Sequence, residues 1–347
     1  MHLSTPVAQR PRLPREAALA QLAGRLAGRP MAADQLYEAL SLEAAPEGSV
    51  ARSHASSNLN GDGSALELCI TSSPTGCRYR LIGDPGTLHD NQMERWAVRR
   101  RALASVLEVA ATHELEPLVT RAMSCWLPAE PEAAARLTES VFWLGAPLGD
   151  PGLALYMEGG AGSDDAAWAA LRRWFDALVP DAAPAQAYVD AIADAGRLSS
   201  VGIEGSSPGD ARAKFHWRLR KPVRCDLLGL PLLDDPDFSR FLTTMVGGES
   251  QRLPLNSLVL SAGFSVSTGA LVDTKIDICC CHACLGFGPE RWIDRLAEVY
   301  GLFGLEVPPV AEALAREECQ GLLLGFGLDV SGRRRLNLYL MPGGRAS

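Results

Sequence analysis

The sequence predicts an α+β protein in which ten antiparallel strands, built from five ααββ repeats, close into a barrel with helices outside. Three observations predict it. Five stretches of alternating apolar and polar residues, each broken by a turn, recur along the chain. Alternation with a period of two marks a half-buried strand. Each of the first four stretches is followed by one or two segments rich in Ala, Leu and Arg with helical spacing. Finally, the second strand of every hairpin carries polar residues on one face and apolar residues on the other.

The first hairpin is SALELCITSSPTGCRYRLIGD, residues 64 to 84, turning through Ser73, Pro74, Thr75 and Gly76. MERWAVRRRALASVLEVAATH and EPLVTRAMSCW follow it as helices. The second hairpin spans residues 138 to 159 and turns at Gly149 to Gly152, with AAWAALRRWFDALV and AQAYVDAIADAG as its helices. Hairpin three covers residues 199 to 219, turning through Ser206 to Asp210, and DDPDFSRFLTTMVG is its helix, with Asp234 or Asp235 as the N-cap. Hairpin four covers residues 256 to 280 and leads into RWIDRLAEVYGLFG. The fifth, residues 319 to 342, turns at Ser331-Gly332.

Ten sequential antiparallel strands leave two open edges unless the sheet closes on itself. A closed ten-stranded sheet is wider than side chains alone can fill, so its interior can hold ligands. With helices packed outside, outward strand residues must be apolar and inward ones are free to be polar. The second strands obey this parity. Arg78 and Arg80 share a face opposite Tyr79 and Leu81; Ala154, Tyr156 and Glu158 oppose Leu153, Leu155 and Met157. Arg212, Lys214, His216 and Arg218 oppose Phe215 and Trp217. Asp273, Lys275 and Asp277 oppose Ile276 and Ile278, and Arg335, Asn337 and Tyr339 oppose Leu336, Leu338 and Leu340. One such face alone reads as a wet sheet surface; five in one chain read as a polar lumen.

Composition narrows the function classes. The 347 residues carry a net charge of −8, with 47% hydrophobic and 21% charged residues. A general affinity for nucleic acid or anionic membrane is therefore not expected, and any anion site must be local. No apolar run is long enough to cross a bilayer. The N-terminus has no apolar signal core, so the chain reads as cytoplasmic, with residues 1–15 mobile and 16–347 forming a single domain. Nine cysteines, an odd number, argue against a secreted disulfide framework. In CCCHAC, residues 279 to 284, Cys281 and Cys284 form a CxxC. Since no second ligand pair follows, the cluster reads as buried thiols at a strand end, with a redox or metal role as the alternative.

The repeat count and lumen residues resemble the aromatic prenyltransferases with an αββα (ABBA) barrel, in particular the dimethylallyltryptophan synthase or indole prenyltransferase branch. The resemblance runs from about Ser64 to Pro342. It implies five ααββ repeats around a solvent-filled lumen, an allylic diphosphate donor and an aromatic (indole) acceptor. By resemblance, Glu67 in LELCI binds the indole nitrogen and Arg78 in CRYR binds the diphosphate. RAKFH matches the branch's basic-x-Lys-x-Tyr pattern through Arg212 and Lys214, with His216 in place of Tyr. Lys275 and Tyr339 match in the fourth and fifth repeats, while Ala154 and Asp277 depart from the pattern, and Tyr156 is kept. Arg80 and Arg335 complete the expected diphosphate set; Asp277 and Asn337 are further lumen residues.

These residue types suit the implied chemistry. Arg and Lys stabilise charge developing on a departing diphosphate. Tyr156, Tyr339 and neutral His216 shield an allyl cation, so activity is expected to fall at low pH if His216 charges. Glu67 can hydrogen-bond an arene N–H and accept a proton. No metal ligand set is expected: the chain lacks an Asp-rich DDxxD run on a helix, and LLDDPDF reads as a loop and N-cap. No cofactor is required on this reading, and stimulation by Mg²⁺ stays open. A monomer or homodimer is expected. Trp143 either stacks on an acceptor or lies under a helix. Outside the indole reading stand a prenyltransferase for phenols or ribosomal-peptide side chains, and a non-catalytic barrel binding a lipid or acidic ligand.

Overall fold

Period-two alternation ran through ten segments of the sequence, and all ten are strands in the computed structural model. The structure describes residues 14–28, 57–60, 62–85, 92–128, 130, 133, 141–159, 163–222, 231–247, 253–279 and 281–344. The strands are β1 (Leu66–Ser73), β2 (Gly76–Gly83), β3 (Phe142–Leu148), β4 (Leu153–Glu158), β5 (Gly196–Gly205), β6 (Arg212–Leu219), β7 (Leu258–Ser265), β8 (Leu271–Cys279), β9 (Cys319–Asp329) and β10 (Arg334–Pro342). Each pairs antiparallel with its sequence neighbours, and β10 returns to pair with β1, Leu68 opposite Leu340 and Thr71 opposite Asn337. The barrel is closed, so neither terminal strand exposes an edge.

Helices run outside. They are α1 (Pro14–Leu26), α2 (Gln92–Thr112), α3 (Glu116–Trp126), α4 (Asp164–Leu178), α5 (Ala183–Ile192), α6 (Pro236–Val246), the single turn α7 (Cys281–Cys284), α8 (Pro289–Leu302) and α9 (Ala311–Ala315). Asp235, not Asp234, caps α6: its side chain accepts from the Asp237 backbone N–H at 2.8 Å. The sequence reading contained no helix at α1. Arg15, at its start, donates to the Gly343 carbonyl at 2.6 Å and to Asp62 at 2.6 Å, tying the helix beside β10. Of the segment expected to be mobile, residues 1–13 lie outside the described residues, as do His54, His89 and Cys280.

The main hydrophobic core lies between barrel and helices rather than within the barrel. Phe215 and Trp217 on β6 are fully buried and stack on each other at 5.0 Å. Trp168 and Phe175 of α4 and Tyr188 of α5 meet Phe215 edge-on. Leu336, Leu338 and Leu340 are likewise buried in this outer layer. The inward face of the same strands carries the polar residues. Turn chemistry holds the strands in register, most visibly at Gly152, which has φ 125°. A Cβ there would stand 2.7 Å from the Gly205 carbonyl oxygen, so only glycine fits.

Candidate active site

The lumen is one cavity of about 1170 Å³. Inward positions of both strands of every hairpin line it, and each residue proposed from the sequence reaches it: Glu67, Arg78, Arg80, Tyr156, Arg212, Lys214, His216, Lys275, Asp277, Arg335, Asn337 and Tyr339. Trp143 also faces the lumen, beside Cys69, Ile82, Ala154 and Tyr156, which decides between its two readings.

Reach matters as much as direction. Several long side chains of the second strands lie across a glycine on a neighbouring strand. A Cβ at Gly145 would fall 2.9 Å from Arg80 Cδ, and one at Gly202 would fall 2.6 Å from the Tyr156 ring. Gly263 and Gly327 make the same room for Asp273 and Arg335, and Gly325 for Asp277. Bare backbone at these points lets charged groups lie along the wall and meet across two strands.

The basic residues converge on two carboxylates. Glu204 on β5, 4% exposed, accepts from Arg212 Nε at 2.9 Å and Nη2 at 2.5 Å through Oε2. Its Oε1 accepts from Arg80 Nη1 at 3.0 Å and from the Tyr156 hydroxyl, with Lys214 Nζ at 3.9 Å. Asp273 accepts from Arg212 Nη1 at 2.5 Å and Arg335 Nη2 at 2.8 Å. A third pair lies on β8, Lys275 Nζ to Asp277 at 2.5 Å. Arg80, Arg212, Lys214, Lys275 and Arg335 thus face Glu204, Asp273 and Asp277; five cations against three carboxylates leave two net positive charges. Arg78 is exposed and stands two residues nearer the hairpin turn than Arg80, at the rim of the cluster.

Burial and charge set the protonation states. Burial would raise the Glu204 pKa, but Lys214, Arg212 and Arg80 with the Tyr156 hydroxyl outweigh it and hold the carboxyl well below its usual range. Burial lowers Lys214 to about 8, against the pull of Glu204 and Asp273. His216 is driven well below its usual value by burial and by its neighbours Lys214 and Lys275. It therefore stays neutral through weakly acidic pH, and the expected loss of activity through a charged His216 is corrected on that ground. Its Nδ1 meets Ser200 Oγ at 3.0 Å, and its ring meets Tyr156 edge-on at 5.9 Å.

Glu67 needs a similar correction. The sequence reading gives it a carboxylate that accepts a proton. Burial raises its pKa to about 8, with Asp277 adding to the effect and Lys275 opposing it. At neutral pH it is mostly a carboxylic acid, whose carbonyl oxygen can accept an N–H.

The tyrosines are tethered by their hydroxyls. Arg80 Nη1 donates to the Tyr156 hydroxyl at 2.7 Å, and Lys275 Nζ donates to the Tyr339 hydroxyl at 2.5 Å, lying 4.7 Å from the centroid of that ring. Asn337 is held by its amide N–H to Thr71 Oγ1 at 2.8 Å. The departure at Asp277 becomes a counter-ion for Lys275, and the small side chain of Ala154 lies beneath the path of Arg80 to Glu204. Sequence reasoning missed Glu204, although it alternates with Ile203 and Val201 as an inward residue should. Of the CCCHAC cluster, Cys279 lines the cavity and Cys281 is buried with its thiol on the Ile278 carbonyl. Among the described residues no three His, Cys, Asp or Glu side chains gather in a metal-ligating group. No described helix is long and apolar enough to cross a membrane.

No family model matches the sequence, and no curated protein is significantly similar to it. Solved structures match it closely in fold. 5-Dimethylallyltryptophan synthase from Streptomyces coelicolor aligns at TM-score 0.74 and 15% identity, over 94% of this chain and 96% of that one. 6-Dimethylallyltryptophan synthase from Micromonospora olivasterospora, in complex with DMASPP and Trp, aligns at 0.72 and 15% identity, over 95% and 98%. AnaPT from Neosartorya fischeri aligns at 0.69 and 14% identity, over 96% and 95%. The chain has the ten-stranded barrel fold of these aromatic prenyltransferases.

Proposed function

We propose that the protein is an aromatic prenyltransferase, moving a dimethylallyl or longer allylic group from its diphosphate to an indole. The observation that carries this is the gathering of five cations and two tethered tyrosines around one lumen. Arg80, Arg212, Lys214 and Lys275 bind the diphosphate and stabilise the charge that develops on it as the C–O bond breaks. The Tyr156 and Tyr339 rings and neutral His216 border the allyl cation and keep water from it. Glu67 takes the indole N–H on its carbonyl oxygen and orients the ring, whose carbon attacks the cation and then gives up its proton to the departed diphosphate held by the basic cluster. The fold shared with dimethylallyltryptophan synthases supports the reading. Basic side chains supply the counter-charge, so turnover without Mg²⁺ is expected.

Purified protein is incubated with allylic diphosphates and a panel of indoles, with and without Mg²⁺, and diphosphate and alkylated product are measured. Arg212→Ala and Lys214→Ala should abolish product while circular dichroism shows an intact fold. Absence of diphosphate release with every donor and acceptor refutes the proposal. A cavity of about 1170 Å³ exceeds what one drug-sized ligand needs. That volume takes donor and acceptor together, and free tryptophan and a tryptophan-containing peptide both belong in the panel beside phenols.

A further inference from the structure

Glu204 satisfies donors that a diphosphate would need. Its two oxygens take Nε and Nη2 of Arg212 and Nη1 of Arg80, and Asp273 takes the remaining Nη1 of Arg212. The whole fork of Arg212 is thus engaged by carboxylates of the protein itself. Both carboxylates are built into the barrel wall. Glu204, 4% exposed, is the penultimate residue of β5, its backbone paired with Ala154 on one side and Arg212 on the other, and Asp273 is 1% exposed. A bound phosphate group must therefore share these arginines with a fixed negative charge a few ångströms away.

We propose that Glu204, with Asp273 behind it, is an internal counter-anion that competes with bound diphosphate for Arg80, Arg212 and Lys214 and so speeds its release after each turnover. The inference rests on the reading of the lumen as a diphosphate site and adds to it a positioning residue that acts through the cations. It differs from a purely structural role in the sign of one effect. If Glu204 only holds the arginines in place, removing its charge weakens anion binding. If it competes, removing the charge strengthens binding, because the cations lose a rival partner while the single carbonyl oxygen of glutamine still accepts from one of the two arginines.

The experiment measures the affinity of inorganic diphosphate for the full chain by calorimetry, together with kcat and KM for the donor. Glu204→Gln should bind diphosphate on the order of ten- to a hundredfold more tightly, the effect of one unit charge a few ångströms away at intermediate screening. Its kcat and donor KM should fall together, with stronger product inhibition. Glu204→Asp keeps the charge and should restore near wild-type affinity. Equal or weaker binding by Glu204→Gln overturns the proposal. If that variant does not fold, Asp273→Asn removes the second counter-anion and must also bind diphosphate more tightly, or the proposal fails. A wild-type protein that neither binds diphosphate nor releases it from any donor overturns the functional reading and this inference together. Wild-type binding without tightening in the variants overturns this inference alone.

Discussion

Replacing Glu67 by glutamine should stabilise the protein, by an amount that grows with pH. In the unfolded chain Glu67 ionises near its ordinary value of 4.5, whereas in the barrel burial holds it at about 8. Below pH 4.5 it is protonated in both states and contributes no difference. As pH rises from 4.5 to 8, only the unfolded form ionises, so stability is progressively lost, and above 8 the loss is complete. From 4.5 to pH 7, at about 1.36 kcal/mol per pH unit, the penalty reaches about 3 kcal/mol. Glutamine never ionises and escapes it. For a chain of 347 residues, an unfolding entropy of about 2.1 cal/mol/K per residue makes this about 4 °C in Tm. The assay is a pair of thermal melts, wild type and Glu67→Gln, between pH 5.5 and 8.5. The Tm difference should widen from about 2 °C to about 6 °C across that range. A difference that does not change with pH would refute the reasoning, because it would mean that Glu67 is ionised in the folded barrel.

Three further outcomes are expected. Diphosphate affinity should weaken between pH 7 and 9 as Lys214 loses its proton near 8, and Lys214→Arg should flatten that dependence in the same calorimetric titration. Any acid limb of kcat/KM between pH 5.5 and 7 should survive His216→Gln, since that imidazole is already neutral there; disappearance of the limb in the variant would show otherwise. Gly202→Ala should destabilise by about 1–3 kcal/mol in urea melts and depress turnover, because the new Cβ meets the Tyr156 ring at 2.6 Å and the Leu155 carbonyl at 2.8 Å.

What could be read from the sequence was whatever depends on period and parity. Arg212, Lys214 and His216 share a strand face with Phe215 and Trp217 opposite, and that alternation, repeated in four other hairpins, implied a polar lumen under a helical coat. Glu204 carried the same signal, since Gly202 and Glu204 alternate with Val201 and Ile203, but only the second strand of each hairpin was read for its polar face. The glycines at 145, 202, 263, 325 and 327 look like weak points in a strand until it is known which neighbour's side chain crosses them. Protonation was out of reach for a different reason. The state of Glu67 depends on burial and on Lys275 and Asp277 two strands beyond its partner β10, which is a property of closure rather than of local sequence. Helix α1 was passed over because its apolar residues form no strong stripe beside the proline-rich run before it.

The pairing of β1 with β10 also governs when the lumen can exist. Leu68 and Leu340 stand opposite each other although most of the chain separates them. On a ribosome, hairpins can form one after another as they emerge, each adding to the last through contacts close in sequence. Until β10 has been made, the sheet remains an open trough with β1 unpaired along one edge and its charged inner face wet. The ion pairs on Glu204 and Asp273 then operate at high dielectric and contribute little. They strengthen when the final strand seals the wall. The last contact of the anion site, Arg335 to Asp273, therefore waits for β10, and loss of β10 alone would leave nine strands able to pair but no closed wall.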